Sequence, residues 1–225
     1  MIPTLHAPDP TSTMTQLEYL VALLSIIAGF GLRDLTQSFR ELVRPQHTVR
    51  WHWLPLIWAV STFLVAVQIW WYSFQNLQSS TQEFFLAYLF LFLLLYLACA
   101  FALPDPDWER AGWTPNGSGD DLGGAGDKFS LDLKAFYFSK AHRRWHFGIL
   151  IVLLLADPLG LLVTLVPGVA GPTSLETVVS NAIPNILLAI LLGVLIGTDR
   201  WWVHTIISVV WFVAISWATL SAILL

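Results

Sequence analysis

The stretch Phe84–Leu103, FFLAYLFLFLLLYLACAFAL, decides the fold. It carries no charge and is apolar on every face of a helix. Its length matches the roughly 20 residues that a helix needs to cross a bilayer. A barrel strand would instead alternate over about ten residues. Five further apolar runs of similar length lie outward from it, at 16–35, 53–74, 147–166, 178–197 and 203–223. The whole chain is 56% hydrophobic and 12% charged, whereas a soluble domain is about 25% charged. The sequence therefore reads as an all-α integral membrane protein with six transmembrane helices.

Threading the six runs alternately leaves the connections 36–52, 104–146 and 198–202 on one side of the membrane. All eleven Lys and Arg residues lie in these connections or at the adjoining helix ends. The connections 75–83 and 167–177, and the tail 1–15, carry none. Basic residues mark the cytoplasmic face, so both termini are expected outside, in a 3+3 arrangement typical of a bacterial inner-membrane protein. The expected organisation is an extracytoplasmic tail (1–15), a first three-helix half (16–103), a cytoplasmic loop with a helical run-in (104–146) and a second half (147–225). Met1–Thr15 lacks the basic n-region of a signal peptide, so the first helix is expected to be retained.

Helical spacing of Leu32, Leu35, Phe39, Leu42 and Val43 carries the first helix beyond the membrane until Pro45 stops it. The only long loop, 104–128, scatters its acidic residues among Gly, Pro, Ser and Asn. It lacks the ligand alternation of a calcium hand and reads as a solvated linker. Gly197 and Thr198-Asp199 leave almost no connection between the last two helices, which predicts an antiparallel hairpin packed side by side.

Arg-Trp pairs open each even-numbered span: Arg50-Trp51, Arg144-Trp145 (with Arg143 beside them) and Arg200-Trp201. Such residues anchor helices at the interface, and their cationic rim favours anionic headgroups on the cytoplasmic face. One short basic run makes a poor phosphate track, so no nucleic-acid partner is expected.

Polar groups in hydrocarbon are expensive and are the default functional candidates. Asp157 lies roughly 15 Å into the fourth span, near mid-membrane. It suits a protonatable or cation-contacting residue, or else an N-cap followed by Pro158 if the helix breaks there. Asn181, Asn185 and Gln68 could join it in a polar pocket, or simply hydrogen-bond between helices. His142 and His146, at i,i+4, share a side with His47, His52 and His204, but no carboxylate or thiol cluster completes a metal or haem set. No catalytic motif is present, so no catalytic residue, metal or cofactor is expected. The single cysteine, Cys99, excludes an intramolecular disulfide.

Two functions follow as expectations. The first is an ion, proton or small-solute channel or transporter, in which six helices enclose only a narrow path and a homo-oligomer is therefore expected. The second is a non-catalytic membrane subunit or scaffold of a larger complex. Three helices on each side of the long loop also permit an inverted repeat, with Gly29–Gly31 and Asp157-Pro158 as matching interruptions.

Overall fold

The computed structural model describes residues 16–44, 48–77, 85–105, 130–163 and 175–224. They form α1 (Gln16–Val43), β1 (Thr48–Arg50), α2 (Trp53–Leu77), α3 (Phe85–Ala102), β2 (Ser130–Asp132), α4 (Leu133–Phe138), α5 (Lys140–His142), a π-helical turn (Arg143–Phe147), α6 (Gly148–Val163), α7 (Leu175–Gly197) and α8 (Trp201–Leu224). Among the described residues the fold is all-α apart from two three-residue strands. Four helical stretches are long and apolar enough to cross a membrane: Glu18–Val43, Trp53–Ser73, Val178–Gly197 and Trp201–Ala222. α3 is a shorter apolar helix, and α6 has 16 residues before it leaves the described part of the chain. The tail 1–15 and most of the acidic loop lie outside the described residues.

α1 is a single helix of 28 residues. Leu24, Ala28, Leu35, Ser38 and Leu42 are buried along one stripe, so the extension toward Pro45 stays packed on the protein. α1 lies chiefly against α3, α6 against α7, and α2 against α8. Gly31 makes the first of these contacts possible. A Cβ built there would stand 3.2 Å from the Tyr96 Cα and 3.4 Å from the Cys99 Cβ. A small residue lets two helix backbones approach closely where lipid supplies no driving force between them.

The hairpin expected from the short turn exists, but its two helices are not each other's main partners. α8 packs far more extensively on α2, where Trp58 stacks on Trp211 at 5.6 Å. A short turn fixes only where two helices start, and the large buried rings decide where they continue. The halves also differ in packing. α1 lies on α3, but the corresponding α6 lies on α7 rather than on α8. This pairing does not repeat the first half's arrangement.

The connections at one end of the bundle are joined. β1 pairs in parallel with β2, Val49 opposite Leu131 and Arg50 opposite Asp132. Arg143 reaches the α7–α8 turn. Three stretches distant in sequence, 48–52, 130–147 and 198–200, therefore meet.

Candidate functional site

Local sequence explains how this junction is assembled. The Asp132 carboxylate accepts from the backbone N–H of Lys134 (2.8 Å) and Ala135 (3.1 Å), which starts α4 at the end of β2. Ser139 is extended (φ −62°, ψ 138°) and ends α4, then accepts from the His142 N–H to start α5. The expected continuous helical run-in is thus broken by a serine that bonds its own backbone. The π turn that follows buries His142, Arg143, His146 and Phe147 and leaves Arg144 and Trp145 exposed.

Hydrogen bonds run through the junction in two short chains. The Trp58 Nε1–H donates to the Ser208 Oγ at 2.8 Å. The Tyr137 hydroxyl lies beside Ser208. The Tyr137 oxygen lies 3.0 Å from His204 Nδ1, and His204 Nε2 lies 2.8 Å from the Thr198 carbonyl. A carbonyl only accepts, so the order of donation from Tyr137 through His204 to Thr198 is fixed. His204 is then the Nε2–H tautomer, assigned from this network, and Tyr137 donates to its Nδ1. Burial pushes the Tyr137 hydroxyl above its usual pKa, against the opposing influence of the nearby Ser208, Trp58 and Arg143.

The second chain ends beside Arg143, which is 4% exposed. Its guanidinium donates to the carbonyls of Leu195 and Thr198 and pairs with Asp199. Those carbonyls belong to the last turn of α7, where acceptors lack intrahelical donors and the helix dipole favours a cation. Arg143 therefore caps α7 and holds its turn against the π turn. This corrects its expected place among the headgroup contacts, because its charge faces protein.

His142 and His146 stack at 5.2 Å with an interplanar angle of 11°. Trp58, Tyr137 and Phe147 close around them. The rings face the end of α3, toward the Phe101 and Ala98 carbonyls, but His142 Nε2 and both His146 nitrogens fall short of hydrogen-bond geometry. Burial holds His142 well below the usual histidine pKa, and the neighbouring His146 adds to this. Burial also lowers His146 to about 4, against the Ala98 carbonyl. Two neutral rings can pack and accept protons. Among the described residues, no group of three or more His, Cys, Asp or Glu is placed to hold a metal.

The other candidates are dispersed. α6 runs unbroken through Asp157 and Pro158, so Asp157 does not N-cap a restarted helix. The side chains of Asp157 and Asn181 lie outside the described residues. Asn185 is half-buried on α7, the helix packed on α6. Gln68 turns instead to α8, where its Nε2 donates to the Ile215 carbonyl at 3.4 Å. Arg50, Trp51, Arg144, Trp145, Arg200 and Trp201 are exposed, with Trp145 stacked on Phe101. Sequence reasoning missed Trp58, Tyr137, His204 and Ser208 as a network. Only the i,i+4 spacing of His142 and His146 hinted at a cluster.

No family description, curated protein or solved structure matches this chain. The functional reading therefore rests on its own residues.

Proposed function

We propose that this is a six-span, multi-pass membrane protein that conducts or transports a proton or small cation, with Asp157 on the path. The observation that carries this reading is the unbroken course of α6 through Asp157-Pro158. It removes the capping role that would otherwise account for a carboxylate at that position. An intramembrane carboxylate that does not start a helix is the kind of group that proton and cation paths use. Asn185, and Asn181 by sequence position, lie on the neighbouring α7.

The proposed sidedness places both termini outside a bacterial inner membrane and the basic connections in the cytosol. The meeting of 48–52, 130–147 and 198–200 at one end supports that threading. A homo-oligomer suits a bundle of this size. The membrane-subunit reading draws on the exposed apolar row Val179, Ile183, Ile186, Leu187, Ile190 and Val194 on α7, which a partner helix could cover as well as lipid.

Flux through proteoliposomes tests the first reading. Asp157→Asn should abolish proton or cation flux in protein that still folds, and unchanged flux removes Asp157 from the path. A stoichiometric heterologous protein copurifying with an inactive wild type would favour the subunit reading.

A further inference from the structure

The outward face of α1 holds an open depression lined by Arg33, Thr36, Gln37 and Arg40. These residues fall at i, i+3, i+4 and i+7, so they share one side of the helix. Their depth follows from helix length. The apolar stretch Glu18–Val43 has 26 residues, about 39 Å at 1.5 Å per residue. A hydrocarbon core is about 30 Å thick. Counted from Glu18, the core ends close to Gln37, so the depression sits where the phosphates of one leaflet lie. The close approach of Gly31 to Tyr96 and Cys99 agrees. It sets Arg33 beside the last turn of α3 and carries Arg40 past that helix's end at Ala102.

The charge balance of this face is positive. Asp34, the residue next to Arg33, faces the Tyr96 hydroxyl across the α1–α3 contact. Glu41 is shared between Arg40 and Arg44, each at 3.0 Å. Arg40 gives Glu41 only one nitrogen, Nη2, and Arg33 and Arg40 are both exposed. The Thr36 hydroxyl bonds back to the carbonyls of Leu32 and Arg33 at 2.9 Å, so it forms the floor and is not a donor to a ligand. Donors to an anion come from the two guanidinium groups, with Gln37 between them. Planar guanidinium groups suit phosphate oxygens, and an acyl tail leaving such a headgroup would run along the apolar residues Ile26 and Phe30, which are exposed on α1.

We infer that Arg33, Gln37 and Arg40 form a binding site for the phosphate headgroup of one anionic phospholipid of the cytoplasmic leaflet. The leaflet assignment rests on the proposed sidedness, but the binding itself does not. A mixed micelle has no sides, so lipid retention tests the site separately from topology.

The experiment is native mass spectrometry of the full chain, purified in detergent and doped with phosphatidylglycerol or phosphatidylcholine. Wild type should retain phosphatidylglycerol in preference to phosphatidylcholine. Arg33→Gln/Arg40→Gln should weaken that retention about thirtyfold, roughly a factor of five for each arginine. Lys134→Gln, which removes one exposed charge elsewhere on the same end of the bundle, should leave it near the wild-type level. Equal retention by wild type and double variant, or an equal loss with Lys134→Gln, overturns the site. Displacement of the lipid by millimolar inorganic phosphate would also overturn it, by showing a free-anion site. Cysteine-accessibility labelling at Gln37 in a Cys99→Ala background reads sidedness separately. Labelling from outside would cancel the leaflet assignment and leave the retention result standing.

Discussion

The Tyr137 hydroxyl and His204 Nδ1 stand 3.0 Å apart, and the far nitrogen of the same ring meets the Thr198 carbonyl. One imidazole thereby ties α4 to the α7–α8 turn, with both nitrogens satisfied and the tautomer fixed from outside. Removing the donor leaves a buried acceptor with no partner, which costs about 1–3 kcal/mol. Tyr137→Phe should therefore lower the thermal midpoint in detergent by several degrees, at about 2–4 °C per kcal/mol for a chain this long. Ser208→Ala should do the same by stranding the Trp58 N–H. The two residues are neighbours in one buried cluster, so the double variant should lose less than the sum. Strict additivity would show that the two bonds act independently.

Arg143 and Asp199 should prove unequal partners. The arginine is 4% exposed and the carboxylate 79%. Solvent screens the ion pair on the aspartate side, and exposed pairs contribute only about 0–1 kcal/mol. The bonds to Leu195 and Thr198 carry more, because they satisfy the end of α7 from within the protein. Arg143→Met should destabilise by about 2–4 kcal/mol, and Asp199→Asn by clearly less. Chemical denaturation of the two variants in one detergent reads the ratio. Equal losses would place the stabilisation in the ion pair and remove the capping account.

Much of this architecture was legible in the sequence, and the failures have physical reasons. Apolar run length found the long helices, and Pro45 and the spacing of Leu35 and Leu42 gave the extension of α1, because bilayer thickness and helix periodicity act on local sequence alone. The burial of Arg143 was hidden because the residues before and after Ser139 were read as one helix. Split at that residue, His142, Arg143, His146 and Phe147 fall on one stripe, with Arg144 and Trp145 outside it. The pairing of α8 with α2 was hidden for a different reason. It depends on Trp58, Ser208 and Trp211 meeting across some 150 residues, and no local pattern encodes that. The bond from Gln68 to α8 was hidden because depth in the membrane does not specify the helix face on which a residue lies.

Acid should weaken the junction. His142 and His146 are held neutral in the folded protein, with pKa values below the ordinary histidine value of 6.5. Below that value the unfolded chain binds protons that the folded one refuses. The stability these rings contribute is thus complete above about pH 6.5 and is lost as the pH falls toward the folded-state value, which is about 4 for His146. That interval corresponds to about 3 kcal/mol for His146 alone. Unfolding measured between pH 7 and 4.5 should show falling stability, and His146→Leu should flatten the curve. A slope unchanged in His146→Leu and in His142→Leu would place the titrating groups elsewhere.

Gly29 and Gly31 are two residues apart on α1 but should answer substitution oppositely. Nothing lies within 4 Å of a Cβ at Gly29, whereas at Gly31 the Tyr96 backbone stands at 3.2 Å. Gly29→Ala therefore only exchanges a poor helix former for the best one and should stabilise by about 0.5–1 kcal/mol. Gly31→Ala forces α1 and α3 apart by a few tenths of an ångström. Gly31→Leu cannot fit without a larger shift and should cost about 1–3 kcal/mol, as overpacking does elsewhere. Because Asp34 meets Tyr96 across the same contact, the larger substitution should also separate that pair. Thermal midpoints in detergent distinguish the cases: a rise at position 29 and a graded fall at position 31. A tolerated leucine at 31 would mean that α1 and α3 do not touch there.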